Sequence, residues 1–450
     1  MLTDQAALST TSNNIANANT PGYSRQVVDL GESSPAEYGG LLIGSGVQVE
    51  QIVSQRNSLL QTQLDQETQQ QSKYSSYLGS MQQVQTLFNE TSGAGLQSSL
   101  TAFFNSVQQL STDPSSTSLR AGVLTAAQNM AQAFSSTASN LILQQRSVDT
   151  SVTQAVNQIN SLTSQIAQLN GEVTSATSTG QNAGTFTDQR DQLINQLSGL
   201  IDVSEIPAGN GSLTLTTTGG ANLVVGNQSF QLATQADPTS GFQQVLSQGS
   251  NITSSITGGA LGGDIQVRDT TIPSILSSLD SLASGLETSI NSVNQAGTDL
   301  NGAPGGNFFV PPPAGGTGAA LQMSVALTDP SQIAASLDGS TGDNSNLTAL
   351  LNVQNQAIVN GQTPLAAYSN LVFQIGNDTS TAQSEATGSQ ALIQQIQNQI
   401  GSVSGVSVNE EAANLIQFQQ AYQAAAQVAS VINSLTATAI NLGQGTTVTG

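Results

Sequence analysis

The chain has 450 residues and a net charge of −21 from 28 acidic and 7 basic side chains, yet only 8% of its residues are charged. Cysteine, histidine and tryptophan are absent, which removes thiolate nucleophiles, Ser-His-Asp relays, imidazole bases and the usual zinc ligands. The arginines stand singly at positions 25, 56, 120, 146, 190 and 268, so no basic patch for nucleic acid is expected.

The surface is therefore expected to consist mainly of Gln, Ser, Thr and Asn. No run of about 18 apolar residues occurs, so no membrane-spanning helix is expected. No apolar stretch of the secretory-signal type precedes Arg25. The length is enough for more than one core without a metal or a disulfide, and no cofactor or metal site is expected.

In chain order, the first segment around Ala6-Ala7-Leu8 and Ile15-Ala16 reads as a small-residue-rich helix. Gly44-Ser45-Gly46 lacks the third glycine of a dinucleotide loop and reads as a turn between extended segments. Lys73, the single lysine, lies in a polar Gln-rich helix face. Apolar seams follow through Tyr74, Leu78, Met81, Val84 and Phe88, then through Leu100, Phe103, Phe104, Val107 and Leu110.

Asp113-Pro114-Ser115-Ser116 ends that helix, because proline cannot continue the hydrogen-bond ladder while Asp and Ser favour caps. Helix resumes through Leu119, Val123, Ala127, Phe134 and Ala138. From 141 to 176, apolar residues alternate by four and three with Gln145 as the one polar break, a coiled-coil-like spacing. Helical spacing continues to about residue 200.

Past Asp202 the texture becomes short alternating stretches between glycine turns. Leu213-Thr214-Leu215, Leu223-Val224-Val225, Phe230-Gln231-Leu232, Val245-Leu246 and Ile265-Gln266-Val267 predict β-hairpins, with Gly219-Gly220, Gly226-Asn227 and Gly258-Gly259 as turns. A helix is predicted from Ile272-Pro273, a loop over 302–318, and helices from Thr363 to Gly376 and from Leu392 to Gly401.

The last helix opens on Ser407-Val408-Asn409-Glu410, a capping box, and carries a heptad stripe of Leu415, Phe418, Tyr422, Ala425, Ala429 and Ile432. Such a stripe needs a partner, and the first helix is the nearest in character. The expected fold is mainly α with a smaller β-rich insertion, its long helical, coiled-coil-like body built from both the N- and C-terminal parts of the chain. Residues 1–40 would pair with 408–450, residues 41–202 and 269–407 would form a discontinuous helical body, and 203–268 a small outer β-rich domain.

The segment Ser12-Asn13-Asn14-Ile15-Ala16-Asn17-Ala18-Asn19-Thr20-Pro21-Gly22-Tyr23 resembles the N-terminal signature of the flagellar axial proteins, the family of rod, hook and hook-associated subunits. Tyr23-Ser24-Arg25-Gln26, Asp113-Pro114-Ser115-Ser116 with Arg120, Ile159-Asn160-Ser161-Leu162, Ile166-Ala167-Gln168-Leu169-Asn170 and Asp188-Gln189-Arg190-Asp191 are similar to its hook-associated branch. So are Glu410-Glu411-Ala412-Ala413-Asn414-Leu415 and Gln419-Gln420-Ala421-Tyr422 near the other end.

The resemblance implies a non-enzymatic structural subunit of the bacterial flagellum, outside the cell, exported unfolded through the type III apparatus after holding by a cytoplasmic chaperone. It implies a ring of self-contacts on the hook protein, beneath a second junction protein and the filament. It assigns axial assembly to Leu8, Asn13, Asn14, Ile15, Asn17, Pro21, Gly22, Tyr23 and Arg25 at one end, and to Leu415, Phe418, Tyr422, Ala425 and Ile432 at the other. The family's first helix is usually longer than the roughly three turns before Ser12, so an internal start is expected.

Competing readings are a hook or rod subunit, a secreted adhesin using the β segment, and a paired-carboxylate glycosidase, whose chemistry needs neither His nor Cys. Its candidate carboxylates are Glu410 with Glu411 and Asp188 with Asp191. The first pair also suits the positive end of a helix dipole, and the second reads as a helix start with local ion pairs.

Overall fold

A computed structural model of the chain describes residues 1–89 and 95–444; the expected C-terminal segment 408–450 therefore extends past the described residues by 445–450, and the expected helical body includes 90–94. The chain opens with α1 (Leu2–Ala16), β1 (Gln26–Glu32), β2 (Ala36–Tyr38), β3 (Leu41–Ile43) and β4 (Val47–Ser54). Four helices follow: α2 (Ser58–Leu87), α3 (Leu96–Leu110), α4 (Thr117–Ser178) and α5 (Gly184–Leu200). Next come β5 (Ser204–Pro207), β6 (Leu213–Thr216), β7 (Asn222–Val225), β8 (Gln228–Ser229), β9 (Leu232–Ala236), β10 (Gln243–Ser247) and β11 (Ser250–Asn251). The rest is helical: α6 (Gly259–Gln266), α7 (Ile272–Ala296), α8 (Ala319–Gln322), α9 (Ser345–Asn352), α10 (Pro364–Ser404) and α11 (Val408–Gln444).

Two apolar cores share one helix. The first half of α4 buries Val123, Ala127, Met130, Phe134 and Leu141 with α2, α3, α7 and α10. Phe103 anchors this core, edge-on to Phe308 and Phe309 at centroid distances of 5.8 and 6.2 Å. The second half of α4 buries Val152, Val156, Ile159 and Ile166 against α5, α6 and the strands. The β-rich lobe consists of a four-stranded sheet, β5-β6-β7-β8, and a three-stranded sheet, β11-β10-β9.

The polar break in the α4 seam lies at the seam between the cores. Gln145 is buried and donates from Nε2 to the Arg268 carbonyl at 2.6 Å. The Arg268 guanidinium reaches Asp149 on α4 and the Gln243 carbonyl of the β lobe, both at 2.7 Å. The lobe is thus fixed to the rod by a charge-assisted bridge as well as by apolar burial.

Three local expectations are corrected. Ile265-Gln266-Val267 is not a strand: it ends α6 and enters a π-helical turn, Val267–Thr271. Gly258-Gly259, expected as a hairpin turn, instead opens α6, and further along that helix Gly263 lets it lie close to α2, since a Cβ on Gly263 would stand 2.4 Å from the Lys73 carbonyl oxygen. Gly376 and Gly401 do not end helices, because α10 runs unbroken through both. Antiparallel packing on α2, with Phe88 against Tyr368 at 6.4 Å, offsets the roughly 1 kcal/mol each interior glycine costs. Residues 41–54, placed in the helical body, instead form strands of a ribbon in which β1 pairs with β4 and β2 with β3.

Candidate assembly interface

The chain leaves α1 through a tight polar turn. Asn17 donates from Nδ2 to the carbonyl and the side chain of Asn13, and its Oδ1 accepts from Thr20. Pro21-Gly22 then reverses direction. Gly22 has φ +76°, a left-handed conformation that suits glycine, and a Cβ there would collide with Gln192 of α5, whose amide donates to the Pro21 carbonyl.

That reversal lays residues 23–26 beside Asn14, which is buried and fully satisfied. Its Nδ2 donates to the Gln26 carbonyl at 2.9 Å and to Glu411 Oε2 at 3.0 Å. Its Oδ1 accepts from the Tyr23 hydroxyl at 2.9 Å and from the Gln26 amide at 3.0 Å. Only a side-chain amide offers two donors and an acceptor in so small a volume.

Arg25 joins three elements to this hub. Its Nε donates to Glu411 Oε1 at 2.7 Å, its amide donates to the Ser404 carbonyl, and its carbonyl accepts from the Gln55 amide. Ser24 donates twice to Asp188, from its amide at 3.1 Å and its hydroxyl at 2.8 Å. Arg56 pairs with Asp188 and, at 2.7 Å, with Asp191.

Burial, reinforced by Asp188 and Glu411, pushes the Tyr23 hydroxyl up to about 12, so it stays a donor. Burial also raises the Asp188 carboxyl, opposed by Arg56 and Ser24, and the Asp191 carboxyl, opposed by Arg56 and Arg190.

Two functional readings change here. Glu411 was explained by the helix dipole, but it is buried and bridges Arg25 to Asn14, 386 and 397 residues away in sequence. Asp188 and Asp191 were read as local pairs at a helix start, whereas both bind Arg56 at the base of the ribbon. Sequence reasoning also missed Ser404, Gln192 and Arg56. Their single signal was the lone arginine 56, too weak alone because a partner distant in sequence leaves no spacing.

From this hub α1 runs antiparallel along the start of α11. Leu8 and Ile15 on α1, and Leu415, Phe418, Tyr422 and Ala425 on α11, are half-buried, while Asn13, Pro21 and Gly22 face solvent. Ile432 is not brought to α1. With 15 residues against 37, α1 covers roughly 22 Å of a helix roughly 55 Å long. The apolar stripe continues uncovered through Val428, Val431, Ile432, Leu435 and Ile440.

We expect Glu411→Gln, which keeps the acceptor but removes the charge, to speed hydrogen exchange of α1 and of amides 23–26 by about tenfold. Unchanged protection would show that the bridge does not hold the chain ends.

Paired chain ends, a helical body and a β-rich lobe define a flagellar axial subunit, and sequence comparison agrees at both ends. The flagella basal body rod protein model matches residues 1–23, and the flagellar basal body rod FlgEFG protein C-terminal model matches 398–442. Between them, the flagellar hook-associated protein FlgK helical domain model matches 81–309. Flagellar hook-associated protein 1 of Bacillus subtilis is 30% identical, over 97% of this chain and 95% of its own. Its Escherichia coli counterpart is 27% identical over 97% of each. The chain belongs to the flagellar hook-associated protein 1 family. The fold is shared with the flagellar hook junction protein FlgK of Burkholderia pseudomallei, at a TM-score of 0.68 and 21% identity over 76% of this chain and all of that one.

Proposed function

We propose that the chain is a structural subunit, without a reaction of its own, that assembles as a ring between hook and filament and lets the filament grow on the hook. Its partners are further copies of itself, the hook protein, a second junction protein and an export chaperone in the cytoplasm. It works outside the cell, exported through the flagellar apparatus. Two features favour a packing role: family membership, and the apolar stripe of α11 that α1 leaves bare. The bare stripe is the observation that carries the reading, because an amphipathic helix without a partner is marginal in water.

The enzyme alternative finds little chemistry to use. A cleft of about 790 Å³ between α4 and α7 has Asp280 as its one charged lining residue, and both Asp280 oxygens accept backbone amides, from Gly318 at 2.7 Å and Ala320 at 3.0 Å. Asp188 and Asp191 are committed to Arg56. A hook or rod subunit is disfavoured by the helical-domain match across 81–309.

Deleting the gene in the source organism should give hooks without filaments and filament protein shed into the medium; cells that remain filamented would reject the reading. Ile432→Asp, at an exposed position the fold does not use, should fail to restore filaments while leaving the purified protein's melting temperature unchanged. Full restoration would remove the stripe from the assembly contact.

A further inference from the structure

The ribbon of β1 to β4 has no core of its own. Two-stranded hairpins are marginal in water, and this one is fixed at its base by Gln26, whose amide and carbonyl bond Asn14, and by Arg56. The distal half has no such anchor. Leu41 and Leu42 at the tip are 70% and 75% exposed, and Ile43, Val47 and Leu30 are also exposed.

Along β1 and β4 the pairing register gathers most of the apolar residues on one face, while at the tip Leu41 and Leu42, adjacent in β3, point to opposite faces. Val28 faces Ile52, Leu30 faces Val49 and Glu32 faces Val47, with Glu50 as the extra residue opposite the step from Asp29 to Leu30. The bulge on β4 keeps Val28, Leu30, Val47, Val49 and Ile52 together, since opposed residues share a face while β1 alternates regularly. Both outer edges of the ribbon are unpaired among the described residues, so a further strand could add to either.

Its charge says what kind of surface receives it. Residues 26–55 carry Asp29, Glu32, Glu37 and Glu50 and no lysine or arginine. A second copy is poorly suited to meet four carboxylates. Arg25, Arg56, Arg190 and Arg268 stand beside carboxylates of their own chain, Arg120 is buried on backbone carbonyls, and Lys73 sits over the Tyr74 ring. Arg146 is left as the one exposed side-chain cation among the described residues outside any ion pair.

We propose that the distal ribbon is a docking arm for a neighbouring flagellar subunit of different sequence, whose receiving surface is an apolar strip edged by lysine or arginine. The tip fills the strip, and the carboxylates set register and suppress pairing between ribbons of identical chains. The proposal rests on the reading that the chain is built into the flagellum.

The test places a photo-crosslinking benzoylphenylalanine at Leu42, and separately at Ile432, in the full chain expressed in the gene-deletion strain, with flagella isolated after irradiation. Position 42 should give a conjugate with a different flagellar chain, joined at a peptide flanked by lysine or arginine. Neutralising the ribbon (D29N, E32Q, E37Q and E50Q together) should lower its yield at least about fivefold. A conjugate of this chain with itself at position 42, or no conjugate there while Ile432 cross-links, overturns the docking arm and leaves the assembly reading standing. An unchanged yield after neutralisation overturns the proposed partner chemistry. No conjugate from either position overturns the assembly reading, and the docking arm with it.

Discussion

Arg120→Ala should lower the unfolding free energy of the helical body by about 3–5 kcal/mol, read as a shift in the urea midpoint of the far-ultraviolet signal. The guanidinium is almost wholly buried, at 1% exposure, beside no carboxylate within ion-pair distance among the described residues. Its Nε donates to the Pro114 carbonyl at 2.7 Å and one terminal nitrogen donates to the Ile333 carbonyl at 2.6 Å, with the Pro330 and Ser331 carbonyls at 3.5 and 3.4 Å. It thereby ties the turn before α4 to the segment after α8. Truncation strands those carbonyls and opens a cavity, two costs that add. Arg120→Lys should recover less than half the loss, because an ammonium cannot reproduce the planar fork. Arg146→Ala, on the exposed face of the same helix, should change stability by no more than about 0.5 kcal/mol.

Glu287→Gln should stabilise the protein in mildly alkaline solution and leave it nearly unchanged in acid. Glu287 is buried in α7 at 1% exposure with Oε2 unpartnered, and burial, with Asp280 adding repulsion, raises its carboxyl to about 8. The unfolded chain ionises this group near its ordinary value of 4.5, whereas the folded chain holds the proton until about 8. Below the lower value both states are protonated and there is no penalty. As pH rises from 4.5 to 8 the unfolded state alone gains from ionising, so folding stability falls through that window and levels off above it. The isosteric amide escapes the effect. The variant's advantage should be small at pH 4 and reach about 2–4 kcal/mol at pH 8, followed by thermal melts across that range. A flat difference would show that the carboxyl reaches solvent in the folded protein.

Much of the helical body was legible because its seams repeat. The alternation from Leu141 to Ala176 survives as the buried face of α4, and the stop at Asp113-Pro114 is real, with Ser116 capping the next helix. What misled was glycine. Its absence of a side chain can mark a hairpin turn, close packing as at Gly259 against Leu200 and Ile201, or no more than an open position inside a helix as at Gly376, and the local sequence does not separate them. The chain-end hub was half legible. The segments of Asn14, Tyr23, Arg25, Asp188 and Glu411 all carried the resemblance, but not their partners: Asp188 acts across 132 and 164 residues and Glu411 across 386 and 397, and a contact of that kind leaves no periodic trace. Of the ribbon, the turn at Gly44-Ser45-Gly46 and its extended flanks were legible, but the strands were not assembled into an element because they lack the clean alternation of a sheet half-buried on a core.

One continuous helix carries both cores. At 62 residues, α4 is roughly 90 Å long, and its backbone hydrogen bonds run unbroken from the helical body into the β-rich lobe. Twisting one lobe against the other therefore means deforming a rod clamped along its length. The paired ends join the body through two short connections, 17–25 and 405–407, the first of them held by Asn17, Ser24 and Arg25. Under a rotary load the subunit would behave as a stiff strut, its longest helix passing torque from the helical body to the β-rich lobe without a joint.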